Sequence, residues 1–306
     1  MKFPPGLGRR CVTGWLCGGV LGCLPVMAVH AAITLTGADD VIVTLAAPAQ
    51  RIVSLAPDLT ELVFDAGAGS ALVGVSRYSN YPAAAKKLPR IGDAFHFDME
   101  RVLALRPDLV LVWQSGTPTA VIARLRELKL PVLVIGTRQP ADIAANLELL
   151  GKASGHANQA HAVAQDFLAG LKKLRDRYAN REPVQVFFEV SSPPLFTIGG
   201  KQIISRMIEL CGGRNVFGDL KSAAAAVSLE TVLARDPQAV VMGDDEGAAA
   251  RLKEWQRWPQ LSATRTGSLF SISDDLLARA TPRILQGGQE LCEDLDRVRQ
   301  SSGASR

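Results

Sequence analysis

Beyond residue 50 the chain alternates short, wholly apolar runs with longer stretches whose apolar positions recur every three or four residues. The runs 52–55, 72–75, 109–113 and 132–135 read as strands, because nearly every position is apolar, as in a parallel strand covered on both faces. Between them, 60–66 closed by Gly67 and Gly69, 98–105 ended by Pro107, and 119–128 read as helices. This alternation predicts an α/β fold with a parallel sheet. Ahead of it, the leader 33–49, with its alternating segment 41–45, predicts an edge strand.

From Ala141 to Arg181 the strand signal vanishes and only helical periodicity remains, with a break expected between Gly151 and Gly155. A new strand, 184–190, then reopens the alternation, which runs on to Phe270 and Ile272. The pattern predicts two Rossmann-like α/β lobes joined by a single long backbone helix: a lobe over 32–150, a linking helix over 151–182 and a second lobe over 183–306. An internal repeat agrees with this division. Residues 100–112 and 230–242, offset by 130, share six of thirteen residues and the same order of helix, Pro and strand. A ligand would then sit in the cleft between the lobes.

The first 31 residues differ from the rest. Lys2, Arg9 and Arg10 precede an apolar stretch that ends at Val29-His30-Ala31, which predicts a secretory signal peptide. Gly18, Gly19, Gly22 and Pro25 interrupt the stretch, and it falls short of a membrane span. Lipid attachment at Cys23, after Val20-Leu21-Gly22, is the alternative processing route. The segment holds three basic residues and no acid, so cleavage takes the net charge from +4 to +1. A nearly neutral exported chain excludes nucleic acid as a partner, since that binding needs clustered Lys and Arg. Three of the five cysteines leave with the signal, and the remaining two, Cys211 and Cys292, are expected to pair outside the cytoplasm.

Catalytic and metal signatures do not occur. The chain has no G-x-S-x-G, H-E-x-x-H, Walker loop, C-x-x-C or G-x-G-x-x-G. An exported α/β hydrolase, the competing class, would need a nucleophile elbow. His156 and His161, five apart, have the wrong spacing for a metal pair on a helix and read as a solvated face. Aromatic residues instead follow the strands: Tyr78 and Tyr81, Phe95 and Phe97 around His96, Trp113, and Phe196. Beyond the carboxyl ends of strands such residues offer flat apolar surface to a ligand.

Five segments carry a family resemblance: Arg51-Ile-Val-Ser-Leu-Ala-Pro-Asp-Leu-Thr-Glu61, Val73-Gly-Val-Ser-Arg-Tyr-Ser-Asn-Tyr-Pro82, Leu103-Ala-Leu-Arg-Pro-Asp-Leu-Val110, Cys211-Gly-Gly-Arg-Asn-Val-Phe217 and Asp275-Leu-Leu-Ala-Arg-Ala-Thr-Pro-Arg283. Together they resemble the cobalamin-binding proteins of ABC importers, in the helical-backbone class of periplasmic binding proteins that also carries haem and ferric siderophores. The resemblance implies a monomeric periplasmic receptor for cobalamin or a related corrinoid, with an inner-membrane ABC permease as partner and neither enzymatic activity nor a resident cofactor. It implies that Tyr78, Trp113 and Phe196 line the corrin cleft, that Asp275 and Arg279 touch its amide-bearing edge, and that Cys211 pairs with Cys292. It also implies that Glu100 and Glu230 dock on the transporter; a first-turn role at the helix dipole, each two residues after the caps Asp98 and Ser228, is the alternative. Two departures bear on the ligand: Phe95 replaces a Trp of that branch, and 223–226 are all Ala where the branch has another. Haem or a ferric siderophore is the alternative ligand. Haem-binding relatives place a coordinating Tyr near position 93, which here is Asp93, leaving His96 as the axial candidate.

Overall fold

The structure is a computed structural model that describes residues 32–93 and 96–304. The expected signal peptide with Cys23, and Phe95, lie outside the described residues. No described helix is long and apolar enough to cross a membrane.

The leader forms two strands rather than one, β1 (Ile33–Thr36) and β2 (Ile42–Leu45), paired antiparallel in a small sheet of their own. The connection turns at Gly37, whose backbone N–H and C=O bond Val41 and Asp40, and Asp40 takes the left-handed conformation. A polar Gly-Ala-Asp-Asp stretch is ordinary turn chemistry.

In the first lobe β3 (Ile52–Ser54), β4 (Leu72–Val75), β5 (Leu109–Trp113) and β6 (Val132–Ile135) form a wholly parallel sheet in the order β4-β3-β5-β6. Their apolar runs divide between two cores. Leu109, Leu111, Leu133 and Ile135 face one, and Val110, Val112, Val132 and Val134 face the other. Helices α1 (Pro57–Asp65), α2 (Met99–Ala104) and α3 (Thr119–Glu127) connect the strands. Helix α1 starts three residues earlier than the apolar pattern suggests, with Pro57 in its first turn, where the missing N–H costs nothing.

The strand-free stretch is two helices, α4 (Asp142–Ser154) and α5 (Ala157–Tyr178). They part at Gly155, with φ at +79°, a conformation other residues rarely adopt. His156 precedes α5 and its Nδ1 lies 2.9 Å from the carbonyl of Ser154, so it belongs to this junction rather than to a solvated helix face. His161 is exposed beside Glu148, at 2.9 Å.

The second lobe contains β7 (Val184–Ser191), β8 (Phe196–Ile198), β9 (Gly213–Asn215), β10 (Ala224–Ala226), β11 (Ala239–Gly243) and β12 (Leu269–Ile272). Strands β9, β7, β11 and β12 run parallel, while β8 and β10 add an antiparallel edge, so this sheet is mixed rather than purely parallel. Its helices are α6 (Ile203–Leu210), α7 (Leu229–Arg235), α8 (Ala248–Trp255), α9 (Ser262–Arg265), α10 (Asp274–Leu277) and α11 (Ile284–Ala304). The repeat is structural as well: α2 and β5 stand 130 positions before α7 and β11. One apolar core continues from the first sheet through Leu147, Phe167 and Leu174 to Val186 and Val241 of the second. Cys211, just past α6, is bonded to Cys292 in α11, closing a separation of 81 residues.

Candidate functional site

The carboxyl ends of the strands in the two lobes face each other across a polar seam. Asn80, in the loop after β4, donates to Asp275 Oδ2 at 3.1 Å, and Asp275 lies just beyond β12. Arg279 reaches back from the second lobe to the carbonyl of Tyr78 at 3.2 Å and to Asn80 Oδ1 at 2.7 Å.

Beside this seam a hollow of about 300 Å³ opens on the first lobe, with Leu55, Pro57, Ser76, Tyr78, Trp113 and Thr117 on its walls. Trp113 ends β5, and the Thr117 hydroxyl accepts its backbone N–H at 3.2 Å. Its indole lies on the bare backbone of Gly116, where an added Cβ would stand 2.0 Å from ring atom Cε3. Tyr78 is 68% exposed, and its φ of +66° is uncommon for a bulky residue. Asp93 also lines this hollow, with the Arg77 guanidinium 3.7 Å from its carboxylate. The His96 side chain is 92% exposed, so the axial-ligand candidate stands in solvent.

On the second lobe Phe196 begins β8, half-buried, across from Ala226 of β10. The three alanines of β10 give it no aromatic neighbour on that strand. Phe196 is not part of the Tyr78–Trp113 hollow. The structure thus gathers Tyr78, Trp113, Asp275 and Arg279 around one seam and sets Phe196 apart on the facing lobe.

A recess of about 170 Å³ near the carboxyl end of β7 was not legible in the sequence. Glu189, Leu195, Arg251, Trp255 and Trp258 line it. Glu189 is 1% exposed and accepts the Trp255 indole N–H at 2.5 Å, while its other oxygen lies 3.1 Å from Arg251 Nε without an aligned hydrogen bond. Burial raises its pKa against the pull of Trp255 and Arg251. Two tryptophans three apart were the available signal. Their partner Glu189, 66 positions from Trp255, was not. A further hollow, about 900 Å³, is an open polar groove by Gln185, Arg214 and Arg235, at the amino end of β7 and away from these aromatics.

Under the seam lies a buried charge cluster that sequence reasoning also missed. Asp58, Glu61 and Asp65 share one face of α1, by the three- and four-residue spacing of a helix. Glu61 is 1% exposed and takes donors from the second lobe: Arg279 at 2.5 Å, Thr281 at 3.3 Å and Arg283 at 3.3 Å. Burial raises the Glu61 pKa, and the two guanidiniums oppose it. Asp58 is raised to about 6 by burial, with the nearby Glu61 adding to it. Asp65 is raised to about 6 by the same two causes.

Glu100 and Glu230 are exposed in the first turns of α2 and α7. Asp98 and Ser228 cap these helices, accepting the backbone N–H of Arg101 at 2.9 Å and of Thr231 at 3.2 Å. Hydrogen bonds from its own backbone N–H and from Ser228 hold the Glu230 carboxyl below its usual range. Among the described residues, no three His, Cys, Asp or Glu side chains converge as a metal site would require.

A vitamin B12-binding protein of Yersinia pestis (strain Pestoides F) is 37% identical over 248 residues, covering 81% of this chain and 86% of that protein. Among solved structures, the periplasmic vitamin B12 binding protein BtuF of Vibrio cholerae is 35% identical with a TM-score of 0.77, over 82% of this chain and 98% of its own. A periplasmic heme binding protein of Pseudomonas aeruginosa is 29% identical, with a TM-score of 0.70 over 80% and 91% of the two chains. The sequence pattern described as "Periplasmic binding protein" matches residues 52–276. That match takes in the sheets of both lobes, the two helices between them and the facing strand ends where the aromatic hollow opens, and the chain belongs to the periplasmic binding protein family.

Proposed function

We propose that this protein is a periplasmic carrier that takes up cobalamin, or a closely related corrinoid, in the cleft between its lobes and presents it to an inner-membrane ABC permease. The observation that carries this reading is the Tyr78–Trp113 hollow beside Asp275 and Arg279. An indole and a phenol on one wall suit the flat apolar face of a macrocycle. The polar seam suits the amide side chains at its edge. Relatives above 30% identity that are named for vitamin B12 binding support the same ligand. The protein acts as a monomeric carrier, without catalysis and without a resident cofactor. Its exposed first-turn acids, Glu100 and Glu230, one on each lobe of the repeat, meet basic patches on the permease; charge-assisted pairs there fix orientation.

The test is to incubate the purified chain, residues 32–306, with cyanocobalamin, haem and a ferric siderophore in turn, desalt it, and record its visible spectrum. Retention of the cobalamin spectrum alone is the expected result. Retention of haem alone would overturn the corrinoid reading.

A further inference from the structure

Tyr78 presents an unusual combination. It is a large aromatic residue at the mouth of the cleft, mostly exposed, and its backbone is in the left-handed region that such residues avoid. Strain of this kind persists only where the surroundings impose it. Here both lobes hold it: within the first lobe Arg90 donates to the carbonyls of Ser76 at 3.1 Å and Ser79 at 2.9 Å, and the second lobe grips the loop from the other side. Arg279 donates to the Tyr78 carbonyl and to Asn80 Oδ1, Asp275 accepts from the other side of the Asn80 amide, and Arg283 lies over the Tyr81 ring at 3.9 Å. Both arginines are largely buried, 12% and 18% exposed. A long guanidinium side chain holds one direction only when its other donors are fixed as well. Glu61 fixes them together with Asp275, which pairs with Arg279 Nη2 at 2.5 Å: the buried Glu61 carboxylate on α1 takes Arg279 on Oε1 and Arg283 on both oxygens.

We propose that Glu61 is a positioning residue for ligand capture: by orienting Arg279 and Arg283 it holds the Tyr78–Tyr81 loop in its strained form and sets the spacing of the two lobes before any ligand arrives. Glu61 touches no ligand in this account. It acts through the two arginines, and the Thr281 hydroxyl completes its acceptor set. The cleft is therefore preformed, and binding does not have to supply the ordering of the loop. The ligand half of the test rests on the corrinoid reading; the geometric half does not.

The geometric half uses spin labels on cysteines placed at two exposed lysines, Lys86→Cys after the loop and Lys253→Cys on α8, the native described cysteines being paired. Pulsed electron resonance on the ligand-free protein should give one narrow distance distribution. Glu61→Gln should broaden it in protein that circular dichroism shows to be folded, and Glu61→Asp should restore part of the narrowing. A role in folding alone predicts the same narrow distribution in every folded variant. In the ligand half, cyanocobalamin should dissociate about tenfold faster from Glu61→Gln, the scale of losing one hydrogen bond to a charged group. An unchanged distribution together with an unchanged dissociation rate would overturn the proposal. Should Glu61→Gln not fold, the exposed Asn80→Ala removes the loop's side-chain bonds to Arg279 and Asp275; it should broaden the distribution, and a narrow one would overturn the proposal. Failure of the unaltered protein to bind cyanocobalamin would sink the corrinoid reading alone, because the label distances need no ligand.

Discussion

Replacing Trp113 by alanine tests the aromatic wall of the cleft. The residue is partly buried by its own lobe, on Gly116, and the rest of its indole faces the hollow. Of the roughly 200 Å² that a tryptophan brings to a contact, up to about 70 Å² remains for a ligand to cover. At about 25 cal/mol per Å² that area contributes up to about 1.7 kcal/mol, or roughly a twentyfold change in affinity. Calorimetric titration of cyanocobalamin into wild type and Trp113→Ala should show that loss. Gly116→Ala provides a second approach to the same ring: its Cβ would stand 2.0 Å from Cε3, so the indole must leave its place. A comparable weakening is expected without removing any aromatic surface. Wild-type affinity in both variants would refute the argument that the indole forms the ligand wall.

Three further outcomes follow from the structure. Reducing the Cys211–Cys292 bond, or replacing both residues by serine, removes a cross-link that is worth roughly 4 kcal/mol on the chain-entropy account, and melting should fall by roughly 8–16 °C in calorimetry. Asp58 and Asp65 titrate near 6 in the folded chain, above their usual value of 3.8, so the folded state binds more protons across that window and stability falls as pH rises through it. Melting should therefore move upward from pH 7.5 to 5, and Asp58→Asn with Asp65→Asn should flatten that slope; an unchanged slope would count against the assignment. Glu100→Arg with Glu230→Arg should leave cyanocobalamin affinity intact and abolish permease-driven uptake in reconstituted vesicles, whereas a capping role alone predicts lower stability with normal uptake.

The fold was legible wherever a single element carried its own pattern. The strands at 72–75, 109–113 and 132–135 lie where their apolar runs lie, since a strand covered on both faces leaves no room for polar residues. The apolar pattern starts the first helix at 60 rather than 57, because a proline there is equally at home after a strand and in the first turn of a helix. The glycines mark only a broad break from Gly151 to Gly155; Gly151 is helical, and the chain turns at Gly155. The site was legible where it is made of aromatic residues after strands, as at Tyr78 and Trp113. Its supporting charges were not. The partner of Glu61, Arg279, is 218 positions away, and nothing local in Pro-Asp-Leu-Thr-Glu distinguishes an acid that anchors arginines of the other lobe from one on a solvated helix face.

The central claim is that a corrinoid occupies the cleft between the facing strand ends. Its cobalt makes the claim directly measurable, because the anomalous scattering of a crystal grown with cyanocobalamin locates the metal without reference to any assumed pose. The account predicts a single cobalt peak between the lobes, with the corrin against Trp113 and Tyr78 and its amide edge toward Asp275 and Arg279. A cobalt peak in the polar groove by Arg214 and Arg235, or no peak in crystals of protein saturated with ligand, would contradict it.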